Sequence, residues 1–264
     1  MQFEQIQAVV RPRNPWESID LGFSMVQKWW KPLYKIWFAF VLPLFLVIYL
    51  PIFGIYTFFY DSLWVAAFMI WWLKPFLDRI LLHFLSHALF GEQLTFWQTI
   101  KALPRLLFKT RLFLGLTFWR FDLARSFNLP IWQLEGLRGK ICAQRTRLLQ
   151  KETRNQAVWF TIICIHFQAI LSLSFFGLIY LMIPTTYEFD LFYVFFRETA
   201  WWAEVFRIFS SLFALSIIEP LYIAGGFALY LNRRTQIEGW DIELVFRRIA
   251  IQLQQKNEMG MGNG

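Results

Sequence analysis

The residue of greatest chemical interest in the sequence is Glu219, an acid inside a long apolar run. The segment 208–232 contains no other charged residue, and Pro220 follows the acid directly. An acidic side chain at the centre of a membrane costs roughly 3 kcal/mol on insertion scales, so it usually faces the bundle interior and is paired or functional. Two interpretations stand: a proton- or substrate-coupled site, or a buried ion pair with Lys74 or Arg79.

A second group of charges surrounds a proline within residues 62–90, a segment that resembles a membrane span. Lys74, Asp78 and Arg79 lie on either side of Pro75. Proline removes a backbone donor and clashes with the preceding turn, which predicts a helix kinked or broken at this point. Transporters use broken helices as substrate sites, but an ordinary membrane exit with a snorkelling lysine gives the same pattern. The predicted intramembrane polar core is Lys74, Asp78, Arg79 and Glu219.

Metal or nucleotide chemistry receives little support from the sequence. His83 and His87 are one helical turn apart and are weak candidates for metal ligands, because zinc needs a third protein ligand and their neighbours are apolar. The phosphate-binding and nucleophile signatures GxxxxGK[ST], GxGxxG and GxSxG do not occur. We therefore expect no metal and no cofactor.

Basic residues mark two further surfaces. Lys101, Arg105 and Lys109 recur every four residues, which predicts a basic amphipathic helix on anionic lipid. A second surface combines arginines with carboxylates, and arginine suits bidentate contact with phosphate or carboxylate. It would contact lipid phosphate or a partner protein, or else form an internally paired loop. Its members are Arg120, Asp122, Arg125, Glu135, Arg233 and Arg234.

The composition identifies the elements that must position these residues. Apolar residues make up 57% of the chain, aromatic residues 20% and charged residues only 17%. Thirty-one phenylalanines and fourteen tryptophans exceed what one aqueous core of this size can hide. The sequence therefore predicts an all-α fold, a polytopic integral membrane helical bundle.

Apolar runs long enough to cross a bilayer cover residues 36–60, 157–183 and 208–232, the last interrupted only by Glu219. Residues 62–90, which contain Lys74, Asp78 and Arg79, provide a further crossing broken at Pro75, so the sequence predicts about four spans. Whether residues 76–90 complete that span or lie along the interface stays open. Residues 1–256 form one membrane domain with a cytoplasmic segment at 91–156, and residues 257–264 form a flexible tail.

The charges of the loops predict the orientation. Residues 91–156 carry twelve lysines and arginines against four acidic residues, whereas residues 184–207 carry two against four. The positive-inside rule then places both termini in the cytoplasm. The net charge of +8 is explained by anionic head groups, because no nucleic-acid-binding motif accompanies it. We therefore expect a phospholipid partner and no nucleic acid.

Local signals predict how two elements begin and pack. Asn14-Pro15-Trp16-Glu17 has the residues of a helix start, and a helix from here would place Ile19, Phe23, Val26 and Trp30 on one face. Gly225-Gly226 would let another helix approach the fourth span closely.

Three strings carry a resemblance to known proteins. They are Trp71-Trp-Leu-Lys74-Pro75 with Asp78-Arg79, Pro130-Ile-Trp132-Gln-Leu-Glu135-Gly-Leu-Arg138-Gly, and the segment from Glu219-Pro220 through Arg233-Arg234 to Glu243. The chain resembles a family of proteobacterial inner-membrane proteins encoded near MoxR-type AAA+ ATPases. Its last 50 or so residues are more distantly similar to the membrane-domain superfamily of glycerophosphodiester phosphodiesterases. The resemblance implies an accessory or assembly role, a possible AAA+ partner and no catalytic residue.

The predicted function is a non-enzymatic scaffold or accessory subunit of a bacterial inner membrane that docks a protein partner. The first alternative is a small transporter or lipid-handling protein with a polar site around Glu219. The second is a membrane enzyme acting on lipid phosphates. The sequence does not indicate an oligomeric state.

Overall fold

The computed structural model describes residues 11–56, 62–92, 94–109, 117, 121–182 and 201–239, and over these residues the chain is helical without a strand. This confirms the all-α prediction. The helices, numbered along the chain, are α1 (Pro15–Lys28), α2 (Trp30–Tyr56), α3 (Ser62–Leu89), α4 (Phe96–Lys109), α5 (Arg125–Leu134), α6 (Gly139–Gln150), α7 (Arg154–Met182) and α8 (Trp201–Glu238).

Three of these helices are long and apolar enough to cross a membrane. The apolar stretches of sufficient length are Trp30–Pro51 in α2, Arg154–Phe175 in α7 and Val205–Glu238 in α8. The 28 residues of α3 also have sufficient length, but Lys74, Asp78 and Arg79 interrupt its apolar character. The structure thus supports a polytopic membrane protein, and the number of spans stays a prediction.

The predicted break at Pro75 is wrong. Helix α3 continues from Ser62 to Leu89 with Pro75 inside it, and α8 likewise continues through Pro220. A membrane helix tolerates proline because neighbouring helices and side chains can satisfy the freed backbone carbonyl. The charges around Pro75 therefore project from one unbroken helix.

Large apolar side chains are exposed on several of the long helices. A set of this size on helices of membrane-spanning length favours lipid rather than water as its surroundings. Its members include Leu42, Leu46, Val47 and Leu50 of α2, Val65, Phe68 and Met69 of α3, Ile165, Phe167, Ile170 and Leu178 of α7, and Val205, Phe209 and Phe213 of α8.

The second half of α8 is enclosed by protein instead. Residues 219–230 of α8 are buried or half-buried, and α1 and α5 pack against this half. A Cβ atom on Gly22 would lie 2.5 Å from the Ala224 carbonyl oxygen, and one on Gly226 would lie 2.5 Å from the Ser126 carbonyl carbon. The close helix approach predicted from Gly225-Gly226 is confirmed.

Helix α1 begins where the sequence predicts. The Asn14 side chain accepts a hydrogen bond from the Trp16 amide, and Pro15 occupies the first turn. Ile19 and Val26 are buried as expected, but Trp30 is exposed and begins α2, so its predicted place on the α1 face is wrong. The chain turns at Trp29, which ends the helical periodicity on which that prediction depended.

Candidate functional site

The centre of the candidate site is an ion pair between α3 and α8. The Lys74 ammonium lies 2.6 Å from the Glu219 carboxylate, and the acid is fully buried. The contact with Lys74 offsets the free-energy cost of removing the Glu219 carboxylate from water, which an unpaired carboxylate would bear in full. Of the two partners considered in the sequence, Lys74 is the one that contacts Glu219.

A second ion pair adjoins the first. Arg125, the first residue of α5, lies 3.0 Å from the fully buried carboxylate of Asp78 on α3. Asp78 and Glu219 also interact with each other, so the two pairs form one cluster of two cations and two carboxyl groups. Burial by itself lowers the pKa of Arg125, but Asp78, Tyr222 and Glu219 raise it above its ordinary value, so the guanidinium stays charged.

Arg79, which the sequence offers as a partner for Glu219, makes other contacts. Its guanidinium donates a hydrogen bond of 2.7 Å to the Pro75 carbonyl one turn earlier in α3. The backbone carbonyl of Arg79 accepts from the side chain of Gln133 on α5. Arg79 therefore helps to join α3 to α5, and Lys74 is the cation that contacts Glu219.

Tyr222 completes the cluster. The Lys74 nitrogen lies 6.0 Å from the centre of its ring and the Arg125 guanidinium carbon lies 5.9 Å from it. The phenol oxygen accepts hydrogen bonds of 3.3 Å from the Ser126 amide and the Thr161 hydroxyl. Sequence reasoning missed this residue, although its position three residues after Glu219 places it on the same face of α8.

A cavity of about 610 Å³ adjoins the cluster. It lies between α2 and α3 on one side and α7 and α8 on the other, and Ala67 and Ala169 line it while remaining exposed. The side chains of Lys74 and Arg125 keep 19% and 12% of their surface exposed, whereas Asp78 and Glu219 keep none. Lys74, Arg125 and Glu219 all line the cavity, and of these three only the two cations keep exposed surface.

Glu135 and Arg234 of the second predicted surface belong to a network of ion pairs. Arg145 joins Glu135, directly after α5, to Glu238 of α8. Arg234 contacts both carboxylates, and the Tyr230 hydroxyl donates a hydrogen bond to Glu135. Partial burial would raise the pKa of Glu238, but hydrogen bonds from Arg234 and Arg145 lower it below its ordinary value. This arrangement corresponds to the internally paired alternative.

Two further members of that surface also have internal partners. Arg233 pairs with Glu152 at 2.6 Å. The Asp122 carboxylate accepts hydrogen bonds from the Ala124 amide and the Asn128 side chain at the start of α5. Arg125 belongs to the ion cluster beside the cavity, and Arg120 lies outside the described residues.

The predicted lipid-facing stripe is described in part. Lys101 is exposed one turn after the exposed Trp97, while Phe96 on the same helix packs against Phe40 of α2. Nothing is described of the side chains of Arg105 and Lys109. The exposed Lys101 and Trp97 are residue types that favour a membrane–water interface.

The two histidines contact each other. The ring centres of His83 and His87 are 4.4 Å apart, and His87 Nδ1 lies 2.9 Å from the His83 carbonyl oxygen. Within the described part of the chain, no group of three histidines, cysteines or acids has an arrangement that could hold a metal ion.

The described helices have the length and the exposed apolar side chains of a helical membrane protein, and α3, α5 and α8 bring a buried ion cluster together beside a cavity. Neither a protein-family model, nor a curated protein, nor a solved structure matches the chain. The resemblance to MoxR-associated inner-membrane proteins therefore stays a prediction.

Proposed function

We propose that the protein binds an amphiphilic molecule within the membrane, as a small transporter or lipid-handling protein. The cavity that ends at the Lys74–Glu219 and Arg125–Asp78 pairs carries this proposal. Its volume of about 610 Å³ falls in the range of roughly 300–1,000 Å³ that is usual for small-molecule sites. Such sites combine apolar walls with a few polar groups, and this cavity has both.

The exposure of two lining residues supports a route from the bilayer into the cavity. Ala67 of α3 and Ala169 of α7 line the cavity and remain exposed, which favours a lateral opening between these helices. An amphiphile could enter from surrounding lipid without crossing the aqueous phase. A rigid scaffold would have no need of such an opening.

Filling the cavity tests the proposal. Ala169→Phe places a ring in the cavity, and Ile170→Phe places one on the adjacent lipid-facing position of the same helix. We expect Ala169→Phe to reduce the amphiphile that copurifies with the protein at least fivefold, as measured by mass spectrometry of the extracted lipids. Ile170→Phe should leave it unchanged. Equal retention by both variants would contradict the proposal.

We further propose four spans in a bacterial inner membrane, with both termini in the cytoplasm. The exposed apolar surfaces of α2, α3, α7 and α8 support four crossings, and the charge of the loops supports the orientation. Lys101 and Trp97 would then lie at the inner interface against anionic lipid.

The scaffold role is the second candidate, and one surface supports it. Helix α6 exposes Ile141 and Leu148, which are seven residues apart and so share a face, beside the basic residues Lys140 and Arg147. A protein partner, such as the AAA+ ATPase that the resemblance implies, could dock there. Ile141→Ser with Leu148→Ser should then abolish copurification of that partner, whereas Ala169→Phe should not.

A further inference from the structure

We propose that the amphiphile carries an anionic head group rich in hydrogen-bond acceptors, and that Lys74 and Arg125 bind it. This inference rests on the proposed function and adds the chemistry of the ligand. The two cations come from different helices, α3 and α5, and both contact the ring of Tyr222, at 6.0 and 5.9 Å from its centre. They therefore lie at one end of the cavity.

The cations have more donors than their ion pairs use. Lysine has three N–H donors and arginine has five. Lys74 contacts one carboxylate oxygen of Glu219 and Arg125 contacts one of Asp78 through Nη2, while 19% and 12% of the two cationic side chains stay exposed. A carboxylate or phosphate group matches these remaining donors, because charge-assisted hydrogen bonds to arginine and lysine are the strong ones.

The negative charges near the cavity are less accessible than the positive ones. Glu219 lines the cavity but has no exposed surface, and Asp78 is fully buried and does not line it. Asp122 also lines this end, but both of its oxygens accept hydrogen bonds, from the Ala124 amide and from Asn128. A cationic head group would meet Lys74 and Arg125 first and be repelled.

The remaining walls suit an apolar tail. They are contributed by Phe45 and Tyr49 of α2, Ile70 and Trp71 of α3, and Leu215 and Ile218 of α8. On α7 the lining runs from Thr161, which contacts Tyr222, to Ser172. At about 1.5 Å per residue this is roughly 16 Å along the helix, so an extended tail can lie along α7 with its head at the charged end.

Binding of defined amphiphiles to the purified full-length protein tests the inference. The probes share one chain length and differ in the head group: a fatty acid, a lysophosphatidic acid, a monoacylglycerol and an alkyltrimethylammonium ion. Dissociation constants are measured by native mass spectrometry in a neutral detergent. We expect at least one anionic probe to bind at least tenfold more tightly than the neutral and cationic probes. A tenfold ratio of dissociation constants corresponds to about 1.4 kcal/mol of binding free energy. The two anionic probes distinguish a carboxylate from a phosphate source.

Variants that remove each ion pair as a unit locate the head group. Lys74→Gln with Glu219→Gln, and Arg125→Gln with Asp78→Asn, leave no single buried charge behind. We expect each double variant to reduce the preference for the anionic probe at least fivefold. Arg147→Gln on α6, an exposed cation away from the cavity, should preserve it.

The outcomes separate this inference from the proposed function. Equal binding of the neutral and anionic probes to the wild-type protein, with loss of both in Ala169→Phe, would overturn the inference and leave the proposed function intact. Absence of binding by all four probes would overturn both. Because the preference is first measured on the wild-type protein, a double variant that fails to fold does not prevent the test.

Discussion

At the scale of single residues, the structure links a charge in α3 to a charge in α8 across the site. Lys74 and Glu219 are 145 positions apart in the sequence but 2.6 Å apart in space. Removing one member of such a pair leaves the other without compensation, which is far more costly than removing both. The pair can therefore be recognised by a double-mutant cycle.

We expect Glu219→Gln to lower the free energy of unfolding by roughly 3 kcal/mol, because it strands the Lys74 ammonium in a largely buried position. Adding Lys74→Gln should recover part of that loss. Thermal unfolding of the two single variants and the double variant in detergent measures the coupling. Asp20→Asn, at an exposed site on α1, serves as the control and should change little. Strictly additive effects would contradict the pairing.

Glu238, which lies outside the predicted span 208–232, should make the stability of the protein depend on pH. Its pKa in the folded protein lies below the ordinary 4.5, since hydrogen bonds from Arg234 and Arg145 outweigh the effect of burial. The stabilisation is therefore complete above about pH 4.5 and is lost as the pH falls through the lower folded-state pKa. Melting temperatures from pH 3 to pH 7 should fall less steeply below pH 4.5 in Glu238→Gln than in the wild type. Parallel curves would exclude this contribution.

At the scale of elements, small residues set how closely the helices approach α8. Gly22 of α1 meets the backbone of Ala224, and Gly226 of α8 meets that of Ser126 on α5. Backbone atoms cannot move aside as a flexible side chain can. The packing of α1 and α5 on α8 thus depends on the absence of a Cβ atom at these positions.

We expect Gly226→Ala to destabilise the protein by roughly 1–3 kcal/mol, because its Cβ would lie 2.5 Å from the Ser126 carbonyl carbon. Gly177→Ala is the matched control within α7. A Cβ there has nothing within 4 Å, so alanine should stabilise the helix by up to about 1 kcal/mol. Melting temperatures of the two variants should change in opposite directions, and a shift of the same sign would refute this account.

Some of this arrangement could be predicted from the sequence, and some could not. The uncharged runs locate α2, α7 and α8 because bilayer thickness fixes their length, and Glu219 needs a cation because a lone buried charge is too costly. Local patterns do not reveal that Arg125, from a segment predicted as cytoplasmic, reaches Asp78. They also mispredict Pro75, because neighbouring helices decide whether a proline interrupts a helix.

At the scale of the whole molecule, exposed apolar surface and enclosed polar groups occupy different parts of the same bundle. The exposed apolar positions of α8 end at Phe213, and the enclosed part begins near Glu219. The ion cluster therefore lies at the boundary between the two. The predicted orientation places this boundary toward the cytoplasm.

A reporter fused after residue 264 tests that orientation. We expect alkaline phosphatase at this position to be inactive and green fluorescent protein to be fluorescent in bacterial cells, because the carboxyl terminus is predicted to remain in the cytoplasm. The same reporters placed within residues 184–200 should give the opposite pattern. An active phosphatase at the carboxyl terminus would invert the proposed topology.

The length of α8 has a mechanical consequence. Its 38 residues form one rod of roughly 57 Å, which lines the cavity from Ser211 to Tyr222 and then contributes Tyr230, Arg234 and Glu238 to the ion pairs with Glu135 and Arg145. A rigid-body tilt of this rod at its membrane end must displace its other end as well. Occupancy of the cavity and the ion pairs at the other end of α8 are thus linked through one continuous helix.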